Sequence, residues 1–525
     1  MRQRRHLYPL AIVSGILVGL SVILPNILGA LAWISLVPFF VALLPQLGVA
    51  VPVRRFFLAG FLYYLFYGLT YFHWFWALFP LDFTGLGDAE SIVVILLGWV
   101  GLSALYALLG GALFLLLALF ARLGTFRRAP ALATAILPAL FVLYEFILTL
   151  DWWGVPWGKL AISQSAMLPV LQTASLFGSY FIAALIVFVN ISLAFLLTFH
   201  GSRMKRALPF AIALFALILN TVTGIFLYQG VPVLEKEAKT VKIAVVQGNN
   251  PSQEDITDLE SFEGYIALSV KCAEEGADVI LWPESSIAGA ISDDNYFGLY
   301  AKDFAHSYGV HLIVGATSYR DGNEYNTMTY FDREGNLVSL YDKRHLVPFG
   351  EYVPYRTFFE TFIPPLVEVT MLDQDNTPGT DPAIFDCGED GKLGGLICFE
   401  SIYERLALDT VRAGAEVFVV GTNDSWFRQS LATSMHTSHE QLRSIECGRY
   451  STRAACTGLT CIINARGEIV ESLPLYEAGA ITYEVPRLTH STLYARTGDL
   501  VVPLCAALLG VFLTVAFIRY RKEEK

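Results

Sequence analysis

Leu396-Ile397-Cys398-Phe399-Glu400 reads as a short apolar strand that ends in a thiol and a carboxylate. A helical run follows it, so the pattern predicts that the thiol lies at the carboxyl edge of a sheet, near amide donors of the next helix. Such amides favour a thiolate and can hold an oxyanion. A cysteine in an apolar run is most often an inert core residue, and in this position it is also a candidate nucleophile.

Two further apolar runs end in an ionisable side chain. Leu281-Trp282-Pro283-Glu284 supplies a carboxylate, and Tyr341-Asp342-Lys343 supplies an ammonium. Taken alone, each is usually a solvated surface group. Beside a thiol in a water-poor pocket, the glutamate becomes a general base and the lysine stabilises an oxyanion. Together the three groups suffice for covalent acyl transfer.

Strand-like and helical runs alternate along residues 241–485, which predicts an α/β layered sandwich. The predicted strands are 241–247, 277–282, 310–317, 393–398 and 416–420, with hairpins at 328–340 and around Arg466-Gly467. The predicted helices are 261–275, 296–308, 401–413 and 434–450.

The rest of the chain has the composition of a membrane protein. Of the 525 residues 54% are hydrophobic, a larger share than a soluble globule carries. Eight apolar stretches are long enough to cross a bilayer. They are Tyr8–Leu24, Ile27–Leu44, Phe56–Phe79, Ser91–Ala121, Ala131–Leu150, Val170–Phe199, Ala207–Tyr228 and Leu500–Ile518.

Basic residues concentrate in alternate connections between these stretches, which predicts that both termini are cytoplasmic. The basic clusters fall within 2–5, 54–55, 122–128, 203–206 and 519–525. The sequence thus predicts a transmembrane bundle over 1–230, an outer domain over 231–495, and a final span with a cytoplasmic tail over 496–525. A cleaved signal peptide is the weaker alternative for the first stretch, because Ala30-Leu31-Ala32 lies inside a second apolar run.

The outer part of the chain is acidic. Residues 231–490 hold 19 Lys and Arg against 39 Asp and Glu, which argues against nucleic acid as a partner, since nothing there replaces phosphate counterions; the plainer role of this charge is solubility. No Gly-rich phosphate loop is present, so no nucleotide is implied. Seven cysteines, an odd number, leave at least one thiol unpaired in an oxidising compartment.

The three strand ends, in the order Glu284, Lys343 and Cys398, resemble the Glu-Lys-Cys triad of the nitrilase superfamily. Residues 341–354 around the lysine resemble the matching segment of the apolipoprotein N-acyltransferases. That resemblance covers nearly the whole chain. It implies a catalytic triad of these three residues, seven helices, an outer nitrilase-like α-β-β-α sandwich and one closing helix.

The same resemblance implies supporting roles for further residues. Glu351 maps to a second carboxylate beside the triad, Glu400 to a supporting carboxylate, and Trp426 to a loop near the substrate entrance. Phe399 stands where well-known members carry tyrosine, so any hydroxyl role at that position is absent here.

The resemblance also implies the reaction: an acyl chain passes from a phospholipid to a cysteine thioester, then to the amino terminus of a diacylated apolipoprotein. The partners would be phospholipid, apolipoprotein and membrane lipid, at the inner membrane with a periplasmic catalytic domain, and no metal or organic cofactor is needed. One alternative is a membrane-tethered nitrilase-type amidase that hydrolyses a small amide. A second is a transporter or scaffold without catalysis, although intramembrane charge is limited chiefly to Glu145.

Two segments stay open to a plain structural interpretation. The apolar, proline-broken segment Val353–Met371 is either an insertion packed on its own domain or a membrane-facing arm over an acyl-chain pocket. His436 and His439 lie three apart, as metal ligands can, but no accompanying ligand pattern is recognisable, so we interpret them as structural.

Overall fold

The computed structural model describes residues 6–81, 84–250, 257–287, 289–372 and 374–523. The chain divides into two compact units. The first comprises Met1–Phe79, Ala89–Tyr228 and Thr497–Lys525, and the second comprises Pro80–Asp88 and Gln229–Arg496.

The first unit is helical. Its longer helices are Leu7–Ile23, Val37–Leu47, Val53–Tyr71, Asp88–Arg122, Ala133–Ile147, Ser179–Thr198, Arg203–Glu237 and Val501–Glu523. Short helices lie at Pro25–Leu28, Thr125–Arg128, Leu168–Leu171 and Ala174–Phe177. Within the described part of the chain, six helical segments are long and apolar enough to cross a membrane. They are Pro25–Leu47, Asp88–Arg122, Pro130–Ile147, Ser179–Thr198, Arg203–Glu237 and Val501–Glu523.

The structure therefore confirms that the chain has several long apolar helices. Of the eight membrane spans predicted from the sequence, six are supported. The helix that follows the N-terminal residues, Leu7–Ile23, is 17 residues long and falls short of the others. The helix Val53–Tyr71 has 19 residues, but it begins with Arg54 and Arg55 and is rich in tyrosine. Both features lower its hydropathy.

Pro232 and the charged run after Tyr228 have the composition typical of a linker, and a linker prediction for this segment is wrong. Pro232 and the charged residues after it belong to the helix Arg203–Glu237, which ends only just before the first strand. Good helix formers follow the proline, and the Glu235 carboxylate accepts a hydrogen bond from the Tyr450 hydroxyl at 2.8 Å. This contact holds the last turn of the helix in place.

The second unit contains two six-stranded sheets among the described residues. The strands are β1 (Thr240–Gln247), β2 (Val279–Leu281), β3 (His311–Arg320), β4 (Asn323–Phe331), β5 (Leu337–Asp342), β6 (Phe385–Asp386), β7 (Lys392–Ile397), β8 (Val417–Thr422), β9 (Tyr450–Ala455), β10 (Cys461–Ile463), β11 (Ile469–Ser472) and β12 (Gly479–Pro486). One sheet has the order β12-β1-β2-β3-β4-β5, and the other has the order β11-β10-β9-β8-β7-β6.

Each sheet has a parallel centre, β1-β2-β3 in one and β7-β8-β9 in the other. These central strands are almost continuously apolar and buried, as expected of strands covered on both faces. The two sheets face each other, and Gly421 on β8 permits a close approach. A Cβ at Gly421 would lie 2.8 Å from Met328 Cε on β4 and 3.1 Å from the backbone nitrogen of Glu284.

Helices cover the outer faces of the two sheets, which completes the α-β-β-α sandwich that the sequence predicts. Asp258–Glu274 and Tyr296–Tyr308 contact the first sheet, and Glu404–Arg412 and Ala432–Cys447 contact the second. Buried apolar residues between the first pair of helices and their sheet form a core around Trp282, which is fully buried.

Three predicted helix bounds are wrong by three residues each. The helix predicted from residue 261 already begins at Asp258, because Thr257 caps its N-terminus, and the other two errors lie near the second sheet. The helix predicted from residue 401 begins only at Glu404, because a 3₁₀ turn, Cys398–Ile402, comes first. The helix predicted to reach Tyr450 ends at Cys447, where Gly448 adopts a left-handed φ of 63°. Glycine tolerates that conformation and commonly ends helices, after which the chain enters β9.

Candidate active site

The carboxyl ends of several strands meet at one edge of the sandwich. Glu284 lies three residues beyond β2, Lys343 directly follows β5, and Cys398 directly follows β7. Because β4 is antiparallel to both β3 and β5, β5 runs in the same direction as β2 and β3. The structure therefore brings the three predicted site residues together.

The Glu284 carboxylate is the centre of the cluster, and its side chain is only 6% exposed. Its Oε1 atom lies 2.8 Å from Lys343 Nζ, and its Oε2 atom accepts a hydrogen bond from the backbone N–H of Asn423 at 2.8 Å. The neighbouring Cys398 thiol, acting as a hydrogen-bond donor, also helps to lower the pKa of this carboxyl. One carboxylate thus interacts with both the ammonium and the thiol.

Lys343 is held between two carboxylates. Its Nζ atom lies 3.1 Å from Glu351 Oε1 and 3.0 Å from Glu351 Oε2, in addition to the contact with Glu284. Glu351 is itself fixed, because the backbone N–H of Val347 donates to its Oε2 atom at 2.7 Å. The structure thereby places Glu351 beside the other three residues, where the sequence resemblance puts a second carboxylate.

Asn326 on β4 joins the two carboxylates, and the sequence analysis missed it. Its Nδ2 atom donates to Glu284 Oε1 at 2.8 Å and to Glu351 Oε1 at 2.6 Å. A signal was available, since asparagine is depleted in strands and here interrupts a β-branched and aromatic strand. Cys456 was also missed, and its Sγ atom lies 3.1 Å from the backbone oxygen of Glu284.

Cys398 occupies a sharp turn between β7 and the 3₁₀ segment. Its φ of 51° is in the left-handed region, which is costly for a residue other than glycine. Together with burial, the Glu284 charge raises the pKa of this thiol, and the Thr422 side chain, as a hydrogen-bond partner, opposes the shift. The expected α-helical amide donors are replaced by this turn, because the first α-helical residue after the strand is Glu404.

The electrostatics of the site define its resting protonation state. Burial opposes the charged form of Glu284, but the Lys343 ammonium and the hydrogen bonds from Lys343 and Asn326 outweigh it and lower the pKa of this carboxyl. Burial also opposes the charge on Lys343, yet Glu284 and Glu351 raise its pKa. Burial and the Glu284 charge raise the pKa of the Cys398 thiol. The resting site therefore combines a carboxylate, an ammonium and a protonated thiol.

Glu400 connects the nucleophile turn to the loop that carries Lys343. One of its oxygens accepts hydrogen bonds from the backbone N–H groups of Arg344 and His345, at 2.6 and 3.2 Å. The other accepts from the Ile397 N–H at 2.7 Å and from the Tyr341 hydroxyl at 2.8 Å. Burial raises the pKa of Glu400, although these donors oppose the shift.

The two remaining predicted site residues flank this cluster in sequence. Phe399 follows the nucleophile, is nearly buried, and packs edge-on against Tyr403 with ring centroids 5.7 Å apart. Trp426 lies in the turn after β8 and is 39% exposed.

The proline-broken segment forms two short helices, Arg356–Phe362 and Pro364–Glu368. We refer to residues 353–371 as the arm. Several of its apolar side chains are exposed, among them Phe358 and Phe362, at 53% and 70%. Next to the arm, Asp375 accepts hydrogen bonds from Arg356 and from the Val353 N–H, at 2.6 and 2.8 Å. These contacts fix the start of the arm and leave its apolar face exposed.

Two family models match the chain. The model described as carbon-nitrogen hydrolase matches residues 242–492, and the apolipoprotein N-acyltransferase N-terminal domain matches residues 14–192. Among solved structures, an amidase from Nesterenkonia sp. is 16% identical, with a TM-score of 0.38 over 51% of this chain and 97% of the amidase.

Curated relatives match along nearly the full length. The apolipoprotein N-acyltransferase of Geobacter metallireducens is 31% identical over 529 aligned positions, covering 98% of this chain and 96% of the relative. The apolipoprotein N-acyltransferase of Gloeobacter violaceus is 29% identical, covering 95% of this chain and 92% of the relative. With both domain models in the same order and a relative of this identity over the whole length, the chain belongs to the apolipoprotein N-acyltransferase family.

Proposed function

We propose that this protein transfers a fatty acyl chain from a phospholipid to the amino terminus of a lipoprotein, through a thioester on Cys398. The acceptor is the α-amino group of a diacylglyceryl-cysteine. One observation carries the proposal: the buried Glu284 carboxylate lies 2.8 Å from the Lys343 ammonium, and Cys398, which directly follows β7, is close enough for its thiol and this carboxyl to shift each other's pKa. Family membership supplies the substrates, and this arrangement supplies the chemistry.

The first half-reaction makes the thioester. Because the resting thiol is protonated and Glu284 is ionised, the carboxylate takes the proton as Sγ attacks the ester carbonyl carbon of the phospholipid. Lys343 stabilises the negative charge that develops on the carbonyl oxygen. The ester C–O bond then breaks, and protonated Glu284 returns the proton to the departing oxygen of the lysophospholipid.

The second half-reaction transfers the acyl group. The neutral amine of the lipoprotein attacks the thioester carbon, and Glu284 takes a proton from the attacking nitrogen. The C–S bond breaks, the proton passes to Cys398 Sγ, and an amide is released. Both steps use the same three residues, and the proposal involves no metal or organic cofactor.

Both proposed substrates are anchored in lipid, so the proposal includes a membrane topology that gives them access to the site. We propose eight transmembrane helices, with 1–230 as a seven-helix bundle, 231–495 as a periplasmic catalytic domain, and 496–525 as the final span and tail. Both termini would lie in the cytoplasm of a bacterium, at its inner membrane. The basic clusters in alternate connections support this orientation. We also propose that the arm contacts lipid through its exposed phenylalanines.

Intact-protein mass spectrometry tests the proposal. Purified protein incubated with phospholipid should gain one acyl mass, and Cys398→Ala should gain none. A diacylated lipopeptide should discharge the adduct, whereas its N-acetylated form should not. Absence of an adduct on folded protein, together with ammonia release from small amides, would favour the amidase alternative instead.

A further inference from the structure

A second buried polar cluster lies against the backbone of the proposed nucleophile. The helix Ala432–Cys447 carries His436, which is fully buried. Its Nε2 atom lies 3.1 Å from the backbone oxygen of Cys398 and 3.0 Å from Ser401 Oγ. The Ser401 hydroxyl also donates to the Cys398 oxygen, at 2.9 Å. The carbonyl of the nucleophile is therefore contacted from two elements.

The chemistry of these partners places a proton on Nε2. A backbone carbonyl oxygen only accepts hydrogen bonds, so the 3.1 Å contact is a hydrogen bond only if Nε2 donates. On the other side of the ring, Nδ1 lies 3.0 Å from Asp424 Oδ1 and 3.1 Å from Arg453 Nη2. Those two groups fix the ring so that Nε2 points at the Cys398 carbonyl.

The groups that hold the ring are themselves fixed. Arg453 Nη2 lies 2.7 Å from Asp424 Oδ2, and Arg453 Nη1 lies 2.6 Å from Glu440 Oε2. Thr422 Oγ1 donates to Asp424 Oδ1 at 2.9 Å. These side chains are buried: Thr422 ends β8, Asp424 begins the turn after it, Arg453 lies within β9, and Glu440 lies on the helix of His436. The cluster thus connects the nucleophile turn to two neighbouring strands.

Cys398 needs such support because of its backbone conformation. Its left-handed φ of 51° is disfavoured for a residue with a Cβ, and it persists only where surrounding contacts impose it. The direction of the Cα–Cβ bond, and with it the position of Sγ, follows from that conformation. If the carbonyl were released, the turn would relax and Sγ would leave its position beside Glu284.

We propose that His436, held by Asp424 and Arg453, is a positioning residue that keeps Cys398 in its left-handed conformation and Sγ beside Glu284. The inference rests on the proposed role of Cys398 as the acylated nucleophile. His436 itself touches neither substrate nor the reacting atoms. Its effect should therefore fall on the rate of acylation and not on the affinity for phospholipid.

Three variants of His436 separate positioning from general stability. In His436→Gln the amide nitrogen can reach the position of Nε2 and still donate, whereas in His436→Leu no donor remains. His436→Asn is one methylene shorter and keeps only the side that faces Asp424. The matched control is His311→Leu. His311 is a buried histidine of the same unit and contacts the Tyr330 hydroxyl at 2.9 Å. It is the first residue of β3, so it lies at the end of that strand away from the site, which the carboxyl ends of the strands form.

The measurements are the acylation rate at a series of phospholipid concentrations, read by intact mass, and the thermal midpoint. His436→Leu should lower the maximal acylation rate about 100-fold, the order expected for a misplaced reacting group, with KM unchanged. His436→Gln should acylate at a rate within about tenfold of the native rate, so its loss should be at most about one-tenth of the 100-fold loss of His436→Leu. His311→Leu should lower the thermal midpoint and leave acylation unchanged.

The outcomes decide between the two ideas. A folded His436→Leu protein that acylates at the native rate overturns the positioning role and leaves the proposed function standing. No adduct on the native protein overturns the proposed function. Should His436→Leu fail to fold, the Gln and Asn variants decide, because positioning requires Gln to acylate faster than Asn, and equal rates contradict it.

Discussion

Asn326 makes a prediction that can be worked through from its two hydrogen bonds. Its side-chain amide donates to both carboxylates that flank Lys343, at 2.8 and 2.6 Å. Asn326→Ala removes both donors. Because these bonds favour the charged form of Glu284, the variant should have a Glu284 carboxyl with a higher pKa than the native protein.

The size of the shift follows from the strength of such bonds. A hydrogen bond to a charged group contributes about 1.5–3 kcal/mol, and 1.36 kcal/mol corresponds to one pKa unit, so loss of the donor is worth roughly one to two units. Water entering the vacated space replaces part of this interaction. We expect a rise of about one unit, the lower end of that range.

The sign determines the assay. Glu284 must be ionised to accept the thiol proton, so the acid limb of the acylation rate against pH should move upward by about one unit. Intact-mass kinetics with phospholipid across a pH series measures it. Asn336→Ala is the control, because exposed Asn336 also donates to a carboxylate, that of Asp332 at 3.0 Å. An acid limb that stays in place or moves downward in the folded Asn326 variant refutes this reasoning.

Three further predictions concern neighbouring groups. Lys343→Met leaves two carboxylates buried without their cation, so it should lower the free energy of unfolding by about 3–5 kcal/mol, as measured by chemical denaturation. It should also abolish the acyl adduct seen by intact mass. A variant that is as stable as the native protein and still forms the adduct would contradict this prediction. Glu400→Gln removes a charged acceptor of four hydrogen bonds and should lower the free energy of unfolding, measured in urea, by about 2 kcal/mol or more. The exposed control Glu334→Gln should leave that free energy unchanged. Replacing Phe358 and Phe362 by serine should raise the KM for phospholipid about tenfold by removing exposed apolar surface, while acylation by a short soluble ester is unchanged; equal effects on both donors would remove lipid contact as the reason.

The sequence predicted the layered sandwich and the placement of Glu284, Lys343 and Cys398 at strand ends because those signals are local. An apolar strand followed by a polar residue can be recognised within about ten residues. The direction of each strand then decides which ends share an edge. Alternating strands and helices imply parallel centres, so the three ends were expected to meet.

Other parts of the site depend on contacts between residues far apart in sequence. Asn326 reaches Glu284 only because β4 pairs with β3 and β5 in a particular register. The link between His436 and Cys398 depends on how a helix packs on a sheet, and the left-handed φ of Cys398 lies in a turn that no local sequence pattern marks. No periodicity in the sequence encodes these contacts.

The pairing of one ammonium with two carboxylates bears on which molecules can enter the site. With Lys343 between Glu284 and Glu351, the formal charges leave one excess negative charge in a water-poor interior. Detached fatty acids, which are anions at neutral pH, would be repelled electrostatically, whereas uncharged esters would not. The net negative charge of Glu284, Lys343 and Glu351 thus discourages inhibition of the site by free fatty acids.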